Sequence, residues 1–289
     1  MTLPKYLSNL GIEPIIAPVA TRTGQLWASM DVFKVILYPF VAGQDGFDLD
    51  LSDRQWVDLG TALKSIHSAA LPPTLARRIR QETYSPHWRK TLKTFLARIE
   101  DDAFEDSLSE RLAAFLRIKR AEIFDLVGRS ERLAVTLQAQ SPDFVLCHSD
   151  IHAGNILIDA SGALFIVDWD EPILAPKERD LMFIGGAWYR TAEEALFYQG
   201  YGRTQIDPVA LAYYRYERIV EDTAIFCERI FLSAESSEDR EQCFRFLSGA
   251  FLPNHVIDIA YRSDITGGRR SETLSMGRGL CGPSTLRGG

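Results

Sequence analysis

The chain has 289 residues, 46% of them hydrophobic, enough for one large domain or for two lobes that share a cleft. Its formal net charge of -7, with the basic residues scattered, argues against a nucleic-acid surface. The cysteines Cys147, Cys227, Cys243 and Cys281 form no C-x-x-C pair, so neither a zinc knuckle nor a dense disulfide framework is expected.

The opening stretch MTLPKYLSNLGIEP has no basic segment followed by an apolar core, so it does not read as a signal peptide. No apolar run reaches the roughly 18 residues of a membrane span, and a cytoplasmic setting is the expectation. PKYLSNLG predicts a short helix ended by Gly11. The runs EPIIAPVA, QLWASM and FKVILYPF predict strands, broken by TRTG and by a turn at Met30 and Asp31. VAGQDGFDLD then reads as a connector and a domain boundary.

Beyond the connector the period changes. Trp56, Leu59, Leu63 and Ile66 fall on one helical face, and Ser52 with Gln55 predicts a capping box at its start. His67 reads as the end of that face. Amphipathic patterns continue to about residue 138. Strands return at FVLC, NILID and LFIVDW, and residues 208–262 are helical again. From about Ser263 the sequence turns rich in Gly, Ser and Arg, which predicts a disordered tail.

The chemistry concentrates between His148 and Asp170. In NILIDASGALFIVDWD two apolar runs flank turn residues, which predicts a β-hairpin. With Ile158 opposite Ala163, Asn155 falls opposite Ile166, and the two-residue period then puts Asn155 and Asp168 on one face. Both offer hard oxygen donors suited to Mg²⁺. Asp150 precedes them in the loop, where a carboxylate can take the proton of an alcohol that attacks phosphorus. The pattern D-x₄-N, followed by an aspartate after the next strand, is that of kinase catalytic and metal loops. His148 and His152 in H-x-D-x-H lack the spacing of a binuclear metallo-hydrolase. His152 is expected to hydrogen-bond within its own loop.

HSDIHAGNILID followed by FIVDWDEPILAPKERDLMFIGG resembles the aminoglycoside phosphotransferase and choline kinase superfamily, and within it the spectinomycin phosphotransferase branch. LYPFVAGQDGF resembles that branch's interlobe hinge, and YYRYERIVEDTAIFCERIF and FLPNHVIDIAYRSD its C-terminal helices. The likeness covers roughly residues 4–264. It implies an α+β, protein-kinase-like bilobal fold: a partial N-lobe and hinge over 1–46, a mostly helical C-lobe over 47–262, and the tail over 263–289.

It also implies Asp150 as catalytic base and Asn155 and Asp168 as magnesium ligands. His148 and Asp180 would support the loop, and Tyr38, Pro39 and Phe40 would meet the adenine of ATP. Asp170 and Glu171 would line the acceptor side. Glu221 and Asp222, on the later helix, are further candidates for an ammonium-bearing substrate.

The implied reaction is ATP-dependent phosphorylation of a hydroxyl on a small polar molecule. An aminoglycoside or aminocyclitol antibiotic such as spectinomycin comes first, which would confer antibiotic resistance. No nucleic-acid or membrane partner is expected.

Upstream of the hinge the resemblance calls for a glycine-rich loop and a phosphate-binding strand lysine. Gly11 and Lys5 belong to the opening helix, only TRTGQ sits before the hinge strand, and Lys34 lies too close to Tyr38 for that role. A reduced N-terminal β-lobe is therefore expected, and the alternative to an enzyme is a kinase-like remnant that binds without transfer.

Overall fold

The structure, a computed structural model, describes residues 2–101, 104, 106–185, 191–233 and 236–264. The tail expected over 263–289 does not begin at Ser263: that residue ends a helix and Asp264 is buried and accepts from Arg129 at 2.8 Å, while residues 265–289, Cys281 among them, lie outside the described residues. Helix α1 (Leu3–Asn9) carries Pro4 in its first turn and is followed by Gly11 at φ 82°, as expected. Strands β1 (Ala28–Met30) and β2 (Phe33–Val35) pair antiparallel around Asp31, which takes a positive φ of 53°. Every residue of this small ribbon is exposed.

The run over residues 13–20 is not the strand expected of it. Ile15 makes a single bridge to Ile166, and the Val19 amide donates to the Leu37 carbonyl at 2.7 Å. Pro14 and Pro18 have no N–H to give, so a continuous ladder cannot form there. The connector after the hinge is more ordered than a linker. It contributes β3 (Gly43–Asp45), which pairs antiparallel with β6 (Ile156–Asp159). Gly43 allows that approach, since a Cβ there would lie 2.4 Å from the Ile158 carbonyl oxygen.

Helix α2 (Asp53–His67) starts with the expected capping box between Ser52 and Gln55 and buries Trp56, Leu59, Leu63 and Ile66. The chain continues through α3 (Pro73–Ala76), β4 (Arg80–Gln81), α4 (His87–Asp101) and the long α5 (Ser107–Gln140). The Asp106 carboxylate caps α5 by accepting from the Leu108 and Ser109 amides. Next come β5 (Val145–Cys147), a 3₁₀ turn at Ala153–Asn155, β6, β7 (Leu164–Ile166) and β8 (Ile173–Ala175). The described residues continue through α6 (Glu178–Leu181), α7 (Thr191–Tyr201), α8 (Pro208–Leu232), α9 (Ser237–Ala250) and α10 (Val256–Ser263). The strands form three small sheets, β1-β2, β3-β6-β7 and β4-β8-β5.

Two cores result. One gathers α4, α5, α8, α9 and α10 around Leu116, Leu126, Tyr213, Tyr214 and Ile230. The other gathers α1, α2, α7 and the β6-β7 hairpin around Leu7, Leu63, Ile66, Ile166 and Phe197. Contact between α2 and α7 is backbone-close: a Cβ on Gly200 would sit 1.9 Å from the Val57 carbonyl oxygen, and one on Gly60 2.1 Å from that of Phe197. Gly200→Ala is therefore expected to cost at least about 1–3 kcal/mol through overpacking, read as a lower urea midpoint at unchanged slope. Among the described residues no helix is long and apolar enough to cross a membrane.

Candidate active site

The loop from His148 to Asn155 leaves β5 and enters β6, and a buried carboxylate below it fixes its shape. Asp180, on α6, is fully buried and accepts from the His148 amide at 2.9 Å and the Ser149 amide at 2.7 Å. His67 donates from Nε2 to the same carboxylate at 2.9 Å, and its Nδ1 pairs with the Tyr201 hydroxyl at 2.7 Å. His67 is thus the buried end of the α2 face, as expected, and in addition the brace of the brace. Burial works to raise the Asp180 pKa, yet the hydrogen bond from His67 and the loop donors outweigh it and hold the group below its ordinary value.

Ser149 sits in the left-handed region at φ 78°, a strained position for a residue with a side chain. Its amide on Asp180 and its hydroxyl, which donates to the Glu171 carbonyl at 2.7 Å, keep it there. Both ring nitrogens of His148 are engaged: Nε2 donates to the Val167 carbonyl at 2.9 Å, and Nδ1 accepts from the Asp150 amide at 3.3 Å. The expected bracing role of His148 therefore has a visible geometry, and the ring has no lone pair left for a metal. His152 bonds within its loop, accepting from the Gly154 amide at 3.0 Å, and stacks on Phe47 at 5.6 Å.

Asp150 points to a guanidinium and an imidazole. Arg218 Nη1 lies 2.7 Å from Oδ1, and His152 Nε2 lies 3.5 Å from Oδ2. Burial pushes its pKa up, but the His152 hydrogen bond and the Arg218 charge prevail, so the carboxyl lies well below the usual range. Asn155, buried in the 3₁₀ turn, donates from Nδ2 to the Asp150 carbonyl at 2.7 Å. That bond leaves its Oδ1 as the atom available to a cation.

The hairpin register corrects the expectation that linked Asn155 to Asp168. Ile158 pairs with Leu164 and Ile156 with Ile166. Asn155 therefore lies opposite Val167, whose amide donates to its carbonyl at 3.0 Å. The slip comes from the turn. Asp159 and Ala163 close a loop in which Gly162 takes φ 83°, the added left-handed residue of a bulged hairpin. Asp168 follows directly, exposed and at φ 61°, outside the strand, so strand alternation does not govern its direction. Chain neighbourhood, not a shared strand face, relates the two oxygen donors. Their hard donor atoms fit a divalent cation such as Mg²⁺.

The remaining candidates are spread more widely. Tyr38 and Phe40 are exposed in the hinge segment. Burial first, then the Asp170 charge, raises the Tyr38 pKa. Glu171 is exposed and pairs with Arg80 at 2.9 Å. Asp222 accepts from Arg218 Nε at 2.9 Å, and Glu221 lies 3.8 Å from Arg179. Burial raises the pKa of both acids. Arg218 is the residue that sequence reading missed; its only trace was a cation one helical turn before Asp222 in RYERIVED.

Among the described residues, His67, Cys147 and Asp180 also bring potential metal-ligand atoms within 4.8 Å of one another, but the hydrogen bonds above already occupy the histidine and the aspartate. A surface hollow of about 360 Å³ beside Phe115, Lys119, Arg245 and Phe251 includes none of the candidate side chains.

A small β-lobe, a helical body, and an acid and an amide five residues apart on a braced loop define a kinase-like phosphotransferase of small molecules. A family model described as the phosphotransferase enzyme family (APH) matches residues 3–216, and the chain belongs to that family. It is similar to the crystal structure of spectinomycin phosphotransferase APH(9)-Ia in complex with ADP and spectinomycin. Identity is 40% and the TM-score 0.82, over 90% of this chain and 82% of that one. The AMP-bound complex of the same enzyme aligns at 40% identity with a TM-score of 0.83, over 91% and 83%. An aminoglycoside phosphotransferase from Alicyclobacillus acidocaldarius, at 12% identity and a TM-score of 0.59 over 89% of this chain and 79% of that one, shares the fold. No curated protein sequence matches the chain.

Proposed function

We propose that the protein transfers the γ-phosphoryl group of ATP to a hydroxyl of a small amine-bearing molecule, with an aminocyclitol of the spectinomycin type as first acceptor. The observation that carries this reading is the Asp150 carboxylate, paired with Arg218 at 2.7 Å on a loop whose strained backbone Asp180 and His67 lock. The 40% identity to an enzyme seen with ADP and spectinomycin supports the choice of nucleotide and acceptor.

In the mechanism, Asp150 accepts the hydrogen bond of the acceptor hydroxyl and takes its proton as the new O–P bond forms. The bond from the γ-phosphorus to the bridging oxygen breaks, and ADP leaves with that electron pair. Asn155 Oδ1 and the Asp168 carboxylate would hold Mg²⁺, which supplies charge neutralisation to the nucleotide's phosphates. The segment from Tyr38 to Phe40 would face adenine. Asp170 and Glu171 would border the acceptor.

Transfer of label from γ-labelled ATP to spectinomycin, choline, homoserine and a neutral sugar tests the reading. Label on spectinomycin supports it; label on none of the amine-bearing acceptors overturns it. Asp168→Ala is expected to raise the Mg²⁺ concentration for half-maximal transfer at least about tenfold, since even partners outside the ligand shell cost that much in metal affinity. An unchanged Mg²⁺ titration would remove Asp168 from the metal site.

One observation favours the second reading, a member that binds without transfer. Lys34 Nζ lies 3.9 Å from the Trp27 ring centroid, occupied in a cation–π contact on the small ribbon. That reading predicts a melting-temperature rise with Mg-ATP and no label on any acceptor.

A further inference from the structure

Arg218 lies one helical turn before Asp222 on α8 and reaches back to the 148–155 loop. Its guanidinium bridges two carboxylates: Nη1 meets Asp150 Oδ1 at 2.7 Å and Nε meets Asp222 at 2.9 Å. The Phe183 ring lies beside it, 5.6 Å from centroid to guanidinium carbon. Glu221 adds a third carboxylate, countered by Arg179 at 3.8 Å. The space at Asp150 Oδ1, where an acceptor hydroxyl has to approach its base, thus holds a cation supplied by the protein itself.

Exposure decides whether that cation is fixed or exchangeable. The Arg218 and Asp150 side chains are 27% and 37% exposed, whereas those of His67 and Asp180 are 2% and 0% exposed. Pairs open to solvent hold weakly, while a buried pair is costly to break because it strands a charge. Of the loop's charged contacts, the two that Asp150 makes with Arg218 and His152 are therefore the ones a ligand can displace, and of these only Arg218 always carries a positive charge. Its second hold, on Asp222, lies on the same helix and can keep the guanidinium tethered as the first contact opens.

We infer that Arg218 is an internal stand-in for the ammonium group of the acceptor, released from Asp150 when the acceptor brings its own cation. The inference rests on the phosphotransferase reading above and assigns to one residue its choice of amine-bearing acceptors. A neutral polyol that displaced Arg218 would leave the Asp150 carboxylate uncompensated where burial already works against its charge. An amine-bearing acceptor exchanges like for like. Arg218 is on this view a specificity-determining residue that favours cationic over neutral acceptors.

The test is equilibrium binding by calorimetry, without nucleotide, of spectinomycin and of neutral myo-inositol to wild type, R218Q and R218K. With the competing cation removed, R218Q is expected to bind spectinomycin about fivefold tighter, the scale of one half-exposed ion pair. R218K, whose point charge cannot bridge both acids as a fork does, should fall between R218Q and wild type. Inositol should gain nothing in either variant. A wild type that binds and phosphorylates spectinomycin, with R218Q binding it no tighter at an unchanged melting temperature, overturns the stand-in role alone. If R218Q does not fold, R218K decides: affinity equal to or below wild type overturns it. A wild type that binds no spectinomycin overturns the acceptor class, and the stand-in with it.

Discussion

Asp150→Asn is expected to lower phosphoryl transfer about 10²–10⁴-fold, the usual contribution of a positioned general base. The amide keeps the shape of the side chain but cannot take the hydroxyl proton. Stability should change little, and the sign can be worked out. The folded-state pKa of Asp150 lies below its unfolded value of about 3.9 because the His152 and Arg218 contacts outweigh burial. Such a group adds stability that is present above the unfolded pKa and is lost as pH falls through the folded one. At neutral pH Asp150→Asn removes that contribution, but both partners are partly exposed, so solvent screening keeps it to about 0–1 kcal/mol. That corresponds to a melting-temperature fall of roughly 2–4 °C at most. Steady-state transfer rates and thermal melts on one preparation check both halves. Turnover within a few-fold of wild type would remove Asp150 from the base's role.

Asp180→Ala is the substitution with the largest expected effect on stability, about 3–5 kcal/mol, the range for removing one member of a buried charged network. Asp180 is 0% exposed, and its loss would strand the His148 amide, the Ser149 amide and the His67 ring N–H. Each buried donor left unpaired costs about 1–3 kcal/mol. Activity should fall with it, because Ser149 at φ 78° has no other reason to hold its conformation than these bonds and the one to the Glu171 carbonyl. Urea unfolding monitored by tyrosine and tryptophan fluorescence measures the first effect. A loss below about 1 kcal/mol would mean that the loop carries its own shape, against the satisfaction rule for buried polar groups. His67→Ala should fall between Asp180→Ala and wild type, since the two amides would keep their acceptor.

Much of the fold was legible because it is local. The α2 face of Trp56, Leu59, Leu63 and Ile66 is a matter of helical period, and the Ser52–Gln55 capping box spans one turn. The helix of residues 3–9 and its Gly11 stop follow from backbone preference alone. The 13–20 run has the β-branched residues of a strand, but its two prolines forbid a ladder. The hairpin register failed for a related reason: a turn with Gly162 in the left-handed region adds a residue, and one added residue turns alternation over.

The sequence by itself determined the helical body and the β6-β7 hairpin, and its motif spacing within a single loop and hairpin marked Asp150, Asn155 and Asp168 as candidates. Only the tertiary structure decided what surrounds them. Arg218 reaches Asp150 across 68 positions, and His67 reaches Asp180 across 113. Local period and propensity act over one or two turns of chain. Which distant side chain meets a loop depends on how helices such as α2 and α8 pack against their cores, and that packing has no signature in the spacing of residues along the chain.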